Sequence, residues 1–314
     1  MTADPPRVAV LGWGRMGGAI GRRLLAAGMP VPMFDPSPVA CQDARERGAS
    51  VAGSPAEACS GADIVVTLLP GAPAVREAAD GPSGVIAGLA SGALWMEMSS
   101  SLPAVTSGVA HAVEAAGARF LDAPVTGGVA RAVTGELTVI AAGSDDALAA
   151  ARPVLRLVAA HVFHVGPEPG MGDLVKTVNN LLSAANLVIA AEGLAIARRG
   201  GVDLPVLLDV LNAGTGQSNA TRWKIPHYVM PETFDSGFTI AQYVKDLDIA
   251  LRVARDGGLH VPMSHAARDL WRSMAEAGLG ERDHTEAVRV VMERAAPTPP
   301  ADSPPGPDAV PEVG

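Results

Sequence analysis

The chain has 314 residues, is 48% hydrophobic and 18% charged, and carries a formal net charge of −9. That length suffices for two domains with real cores, and the composition is that of a globular chain, not a disordered one. The acidic balance, with no Lys/Arg block, argues against nucleic acid or an anionic membrane as partner. Cys41 and Cys59 form no metal or disulfide pattern, and the start "MTADPPRVAVLG" lacks a charged segment followed by a long apolar one. A reducing, cytoplasmic setting is therefore expected.

From residue 7 to about 166 short β-branched runs alternate with helical stretches. "RVAVLG", "VPMFD", "DIVVTLLP", "ALWMEM", "RFLDAPV", "LTVIAAG" and "HVFHV" read as strands, with Ala-rich segments such as "GRMGGAIGRRLLAAG" between them. Such alternation predicts a doubly wound α/β domain with a mostly parallel sheet over residues 1–166. "GPEPGMG" (166–172) is punctuation, and helical periods follow over 171–199, 203–211, 239–256, 263–277 and 284–294. Residues 167–296 should thus form an all-α domain, and the Pro-rich 297–314 a disordered tail. The 171–199 stretch is apolar almost all round, which predicts a buried interdomain helix. Asp173, Lys176, Asn179, Asn180, Asn186 and Glu192 interrupt it and argue against a membrane span. No internal repeat is visible.

Gly12, Gly14 and Gly17 form G-x-G-x-x-G directly after a strand and at the start of a helix, with Arg15 and Met16 between them. Gly12 can make the tight turn, Gly14 lets backbone approach a pyrophosphate, and Gly17 lets helix pack on strand. The helix N-terminus adds free N–H groups for the phosphates, and Arg15 can approach them. The second strand ends at Asp35, the expected distance on for an acid that binds ribose hydroxyls. Asp35, followed by Pro36, Ser37 and Pro38, favours NAD as cofactor, with NADP possible. Leu69, Pro70, Ser99 and Ser100 fall at carboxyl ends of strands, where they can line the nicotinamide end of a dinucleotide or serve as plain loop residues. In "DAPVTGG", Thr126, Gly127 and Gly128 make a turn whose amides and hydroxyl can hold a carboxylate. A structural Gly-Gly turn would account for the glycines but not for Thr126.

Taken in order, the glycine loop, "DAPVTGG", "GMGDLVKTVNN" and "VKDLDIAL" resemble the β-hydroxyacid dehydrogenase family over roughly residues 7–295. The resemblance implies a Rossmann N-terminal domain, a long interdomain helix and a helical C-terminal domain that makes a homodimer or homotetramer. It implies Lys176 as the catalytic lysine, Asn180 as the amide beside it, and Thr126, Gly127 and Gly128 as the substrate-carboxylate loop. Lys245 matches a lysine that reaches the cofactor, and Ser100 stands where the family usually has threonine beside the nicotinamide. "WMEMSS" departs from the family's usual Asp-Ser-Ser-Thr pattern, and "NAGTGQSNATRWKIP" (212–226) maps to no known specificity.

Residues four apart on a helix share a face, so Lys176 and Asn180 point together. A buried lysine has a lowered pKa and can accept a hydroxyl proton or return it to a carbonyl. Asn180 can orient the hydroxyl or the lysine. Asp246 can orient Lys245 or cap a helix. The expected reaction interconverts a small β-hydroxy acid and its semialdehyde or keto acid, as in 3-hydroxyisobutyrate dehydrogenase. A tartronate or succinic semialdehyde reductase, an imine reductase-like enzyme and a non-catalytic dinucleotide-binding protein are the alternatives. His161 and His164 lie three apart on a strand and face opposite sides, which disfavours shared metal ligation.

Overall fold

A computed structural model of the protein describes residues 5–295; the expected Pro-rich tail lies outside them. The first part alternates strand and helix. In chain order come β1 (Val8–Leu11), α1 (Arg15–Ala26), β2 (Pro32–Phe34), α2 (Pro38–Glu46), β3 (Ser50–Val51), α3 (Pro55–Cys59) and β4 (Ile64–Thr67). Then follow α4 (Ala72–Ala79), α5 (Val85–Gly88), β5 (Leu94–Glu97), α6 (Pro103–Ala115), β6 (Arg119–Asp122), β7 (Val125–Thr126) and α7 (Gly128–Thr134). β8 (Leu137–Ala142), α8 (Asp145–Val158) and β9 (Ala159–Gly166) close the alternating part. The rest is helical: α9 (Met171–Arg199), α10 (Leu204–Ala213), a π-helical segment Ala220–Val229, α11 (Ile240–Asp256), α12 (Pro262–Met274) and α13 (Ala287–Arg294).

The nine strands form one sheet in the order β3-β2-β1-β4-β5-β6-β8-β7, with β9 also paired to β8. Pairing is parallel from β3 to β6; β8 runs antiparallel to β6 and β7 and parallel to β9. Strand order reverses at β1, so the crevice between the carboxyl ends of β1 and β4 is the topological switch point where such sheets bind ligands. Gly12 follows β1 and Leu69 follows β4, one on each side of it.

The central strands are buried on both faces, which is why they read as continuous apolar runs. Alternate side chains feed two cores. Val8, Val10, Leu94, Met96 and Leu121 pack with Ile20 and Leu24 of α1. Ala9, Leu11, Trp95 and Phe120 pack with Val109 and Val113 of α6. Trp95 and Phe120 are register partners, and their rings meet edge to face with centroids 5.5 Å apart. Such a pair adds ~0.5–1.5 kcal/mol to the burial of its surfaces.

Two compact units result. One combines the described residues up to Ala184 with Ser236–Asp283; the other comprises Ala185–Asp235 and the described residues from His284. Two elements escape the sequence pattern: β3 is too short for periodicity, and the π-helical segment carries Pro226 inside it.

The expectation that α9 is buried all round requires correction. Its first turns bury Asp173, Lys176, Thr177 and Asn180, while Leu174, Val175, Val178 and Leu182 are exposed. The apolar side of this segment faces outward, and the polar side faces the interior.

Candidate active site

The glycine loop is built as its spacing requires. Gly12 has φ +88°, and a Cβ there would overlap the Leu68 carbonyl oxygen. A Cβ on Gly17 would overlap the Gly12 carbonyl, so helix and strand approach as closely as backbone allows. Gly14, the N-cap of α1, has nothing within 4 Å of a Cβ position, which leaves its side of the loop open. Asp35 sits at the loop: one carboxylate oxygen accepts from the Trp13 N–H at 2.7 Å and the other from the Ser37 N–H at 2.8 Å. Trp13 is buried, and its Nε1 donates to Asp43 Oδ2 at 2.9 Å. That bond, followed by one from Arg47, holds the Asp43 carboxyl below its usual pKa. A Cβ on Gly21 would overlap the Trp13 ring, so this glycine accommodates the indole. Met16 packs against the core, and Arg15 Nη1 donates to the Gly237 carbonyl at 3.2 Å.

Across the switch point, the Leu69 N–H donates to Ser99 Oγ at 2.7 Å, tying the loop after β4 to the end of β5. Pro70 is exposed beside it. The Thr126–Gly128 turn is forced by backbone: Gly127 has φ +123° and Gly128 φ +75°, a region that favours glycine. Thr126 pairs with Thr138 of β8.

Ser100, Lys176, Thr177, Asn180, Asp246 and Ile249 line one narrow cleft. The Thr126–Gly128 turn is not among its lining residues. Asp246 is buried on α11; its Oδ2 accepts from Asn180 Nδ2 at 2.5 Å and its Oδ1 lies 3.2 Å from Lys245 Nζ. Lys245 in turn approaches Gly71, at the start of α4. Burial pushes the Lys176 ammonium down to about 8, against the opposing pull of Asp246, with Lys245 lowering it further.

The sequence reading missed what lies at the start of α9. Asp122 Oδ2, at the end of β6, accepts from the backbone N–H groups of Gly170 (2.7 Å), Gly172 (2.9 Å) and Asp173 (3.2 Å). A carboxylate from the sheet therefore caps the helix that carries Lys176. A Cβ on Gly172 would lie 2.9 Å from the Asp122 carboxyl carbon, which explains a glycine at that helix start. Asp173 accepts from the Ser101 N–H at 2.9 Å and from Thr106 Oγ1 at 2.6 Å. Asp246 was legible: it follows Tyr243 by three on the buried face of α11, where an unpaired acid would be costly.

Comparison with known proteins identifies the family. Residues 7–166 match the NAD-binding domain of 6-phosphogluconate dehydrogenase, and residues 170–291 match the NAD-binding domain of NADP-dependent 3-hydroxyisobutyrate dehydrogenase. The 3-hydroxyisobutyrate dehydrogenase of Pseudomonas aeruginosa is 35% identical over 280 residues, covering 86% of this chain and 92% of that protein. The chain belongs to the β-hydroxyacid dehydrogenase family. The L-threonate dehydrogenase of Cupriavidus necator is 31% identical, with 90% of this chain and 95% of that protein covered. Among solved structures, 3-hydroxyisobutyrate dehydrogenase of Mycobacterium tuberculosis with L-serine superposes with a TM-score of 0.85 at 30% identity, covering 91% and 99% of the two chains. An imine reductase of Streptomyces aurantiacus shares the fold, with a TM-score of 0.61 at 20% identity over 91% of this chain and 99% of that one.

As a β-hydroxyacid dehydrogenase the protein is an NAD(P)-dependent oxidoreductase acting on a hydroxy acid. Its residues fit the dinucleotide: Gly12 and Gly17 permit the turn, Gly14 leaves the open side, and no acidic residue stands in the first turn of α1.

Proposed function

We propose that the protein interconverts a small β-hydroxy acid and its semialdehyde or keto acid, with Lys176 exchanging the hydroxyl proton. The observation that carries this reading is the buried Lys176, lowered to about 8 and set in one cleft with Asn180 and Asp246. The nicotinamide dinucleotide, when bound, accepts or returns the hydride. Neutral Lys176 takes the proton that the substrate hydroxyl releases; in the other direction its ammonium gives that proton to the carbonyl oxygen. Asn180 is fixed by Asp246 and presents its remaining hydrogen-bonding capacity without adding charge. Thr126, Gly127 and Gly128 offer a hydroxyl and amides to the substrate carboxylate.

The relatives' names support the substrate class, since 3-hydroxyisobutyrate, L-threonate and 2-(hydroxymethyl)glutarate are all small carboxylic acids bearing hydroxyl groups. Gly12, Gly14, Arg15, Met16, Gly17, Asp35, Leu69, Pro70, Ser100 and Lys245 are assigned to the cofactor, and Asp35 favours NAD over NADP. We assign residues 1–166 to dinucleotide binding and 167–296 to substrate binding and assembly, in line with the extents of the two family matches. The exposed apolar side of α9 supports a homodimer or homotetramer, and the free thiols of Cys41 and Cys59 support a cytoplasmic location. The test is a panel of β-hydroxy acids, semialdehydes and cyclic imines, run in both directions with NAD and NADP and followed by nicotinamide absorbance. Turnover of a β-hydroxy acid is expected; turnover of imines alone overturns the reading.

A further inference from the structure

Glu97 and Asp122 are register partners at the carboxyl ends of β5 and β6, so their side chains leave the sheet side by side. Both are buried, at 1% exposure each. Asp122 uses Oδ2 for the three N–H groups at the start of α9, and its Oδ1 has no hydrogen-bond partner. Glu97 uses Oε1 for the Ser99 N–H at 2.6 Å, and its Oε2 likewise has none. Two carboxyls on register-partner residues, each with one oxygen hydrogen-bonded and the other without a partner, can satisfy one another by sharing a single proton. The same pair with both groups ionised would set two buried like charges together.

We propose that Glu97 is held as a neutral carboxylic acid whose Oε2–H donates to Asp122 Oδ1, and that this acid–carboxylate pair is the positioning device for the first turn of α9. The division of roles follows from the partners. Asp122 faces three N–H donors and the positive end of a helix, which favour its ionised form. Glu97 has one backbone donor and no cation; the Ser99 and Thr67 hydroxyls beside it favour its ionised form, but burial outweighs them. Asp173, the third buried acid, has both oxygens satisfied by Ser101 and Thr106 and needs no proton to complete its bonding.

The surroundings agree. Burial, and after it neighbouring carboxylates, pushes Glu97 up to about 7, Asp122 to about 7 and Asp173 to about 8. The charged groups that reach this cluster are Lys245 of α11, which lowers Asp173, and Lys176 of α9, whose ammonium Asp173 favours. The hydroxyls of Ser99 and Thr67 lower Glu97, and the Asp173 carboxylate raises it. Glu97 is therefore linked on one side to the Leu69 loop through Ser99 and on the other to Lys176 through Asp122 and α9. A glutamate stands here, where the family resemblance leads one to expect aspartate. Its charge is near enough to the neighbouring strand's carboxylate to raise Asp122.

The positioning role rests on the reading of Lys176 as the proton-exchanging group, but the shared proton does not, and its test needs no turnover. Glu97→Gln places an amide N–H where the proposal puts the carboxyl proton; Glu97→Leu removes the donor and strands Asp122 Oδ1. The retained proton stabilises the fold fully below the unfolded acid's pKa of ~4.3 and is lost as pH rises through the raised folded value. Compared with wild type, Glu97→Gln should thus gain stability as pH rises from ~4.3 to about 7 and hold that gain above it, whereas Glu97→Leu should lose stability throughout. Infrared spectra of the unaltered protein at about pH 6, where exposed carboxyls are ionised, should hold a protonated-carboxyl band. That band should titrate away with rising pH and be weaker in Glu97→Gln by the share of one carboxyl, since Asp122 and Asp173 are raised as well. Absence of the band in the unaltered protein, an undiminished band in Glu97→Gln, or a Glu97→Gln variant whose stability deficit grows with pH would overturn the proposal. If the band behaves as expected and Glu97→Leu leaves kcat and KM unchanged, the shared proton stands and the positioning role is overturned.

Discussion

Asn180 and Asp246 are joined across 66 residues of sequence by a hydrogen bond from Nδ2 to Oδ2 at 2.5 Å. This bond locks the amide one turn beyond Lys176 to a carboxylate that also lies 3.2 Å from Lys245. The electrostatics of the cleft therefore hinge on Asp246, which favours the Lys176 ammonium while burial opposes it.

Neutralising that carboxylate should release the lysine proton more easily. Alcohol oxidation requires neutral Lys176, so in the wild type kcat/KM for oxidation should rise with pH through about 8 and level off above it. In Asp246→Asn the rising limb should move to lower pH. A limb that stays in place, or moves to higher pH, contradicts the role given to Asp246.

Lys176→Ala should lower kcat by ~10²–10⁴, the usual worth of general acid–base help, and leave cofactor affinity nearly unchanged. The measurements are steady-state rates on the best substrate and a cofactor titration by calorimetry. Near wild-type kcat in the alanine variant would remove the lysine from the chemistry.

Cofactor choice tests Asp35. Its carboxylate stands at the end of β2 against the glycine loop, where the 2′-phosphate of NADP would meet a negative charge. A penalty of ~1.4–3 kcal/mol gives NAD a preference of roughly ten- to a hundredfold in kcat/KM. Asp35→Ser with Pro36→Arg should shift that preference toward NADP. Equal or better use of NADP by the unaltered protein would refute the argument.

Assembly is read from the outward apolar side of α9. Val178, 49% exposed, and Leu182, 55% exposed, lie one turn apart on it. Val178→Glu with Leu182→Glu should reduce the mass seen by light scattering at micromolar concentration, while circular dichroism stays native. A monomeric mass for the unaltered protein would end this reading.

The glycine loop and the alternating sheet were legible because each is fixed by backbone demands that only certain residues meet. Gly12 must take φ +88°, and the central strands are apolar on both faces because both are covered. The orientation of α9 was not legible. Counting apolar residues puts Leu174, Val175 and Val178 inside, yet Asp122 pins the helix start by its N–H groups and turns Asp173 and Lys176 inward. Tertiary capping of this kind leaves no local pattern, since the acid lies 48 residues from the first amide it binds. Glu97 was hidden for the same reason: its partner is a register neighbour on another strand.

Packing at Gly21 gives a stability prediction independent of catalysis. An added methyl would overlap the Trp13 ring. Gly21→Ala should therefore cost ~1–3 kcal/mol by denaturant unfolding, because a packed interior resists extra volume. It should also weaken cofactor binding, because Trp13 is part of the glycine loop. Unchanged stability would show that the indole can move aside freely.

Trp13 has one more consequence. It is one of four tryptophans, and it sits within G-x-G-x-x-G itself, held by Asp35 through its backbone and by Asp43 through its indole. The protein thus carries an intrinsic fluorophore inside its own dinucleotide loop. Tryptophan emission overlaps the absorption of reduced nicotinamide, so filling of the loop should be visible as quenching and energy transfer without any added label. Occupancy can then be followed in stopped flow separately from turnover, including in variants that no longer react.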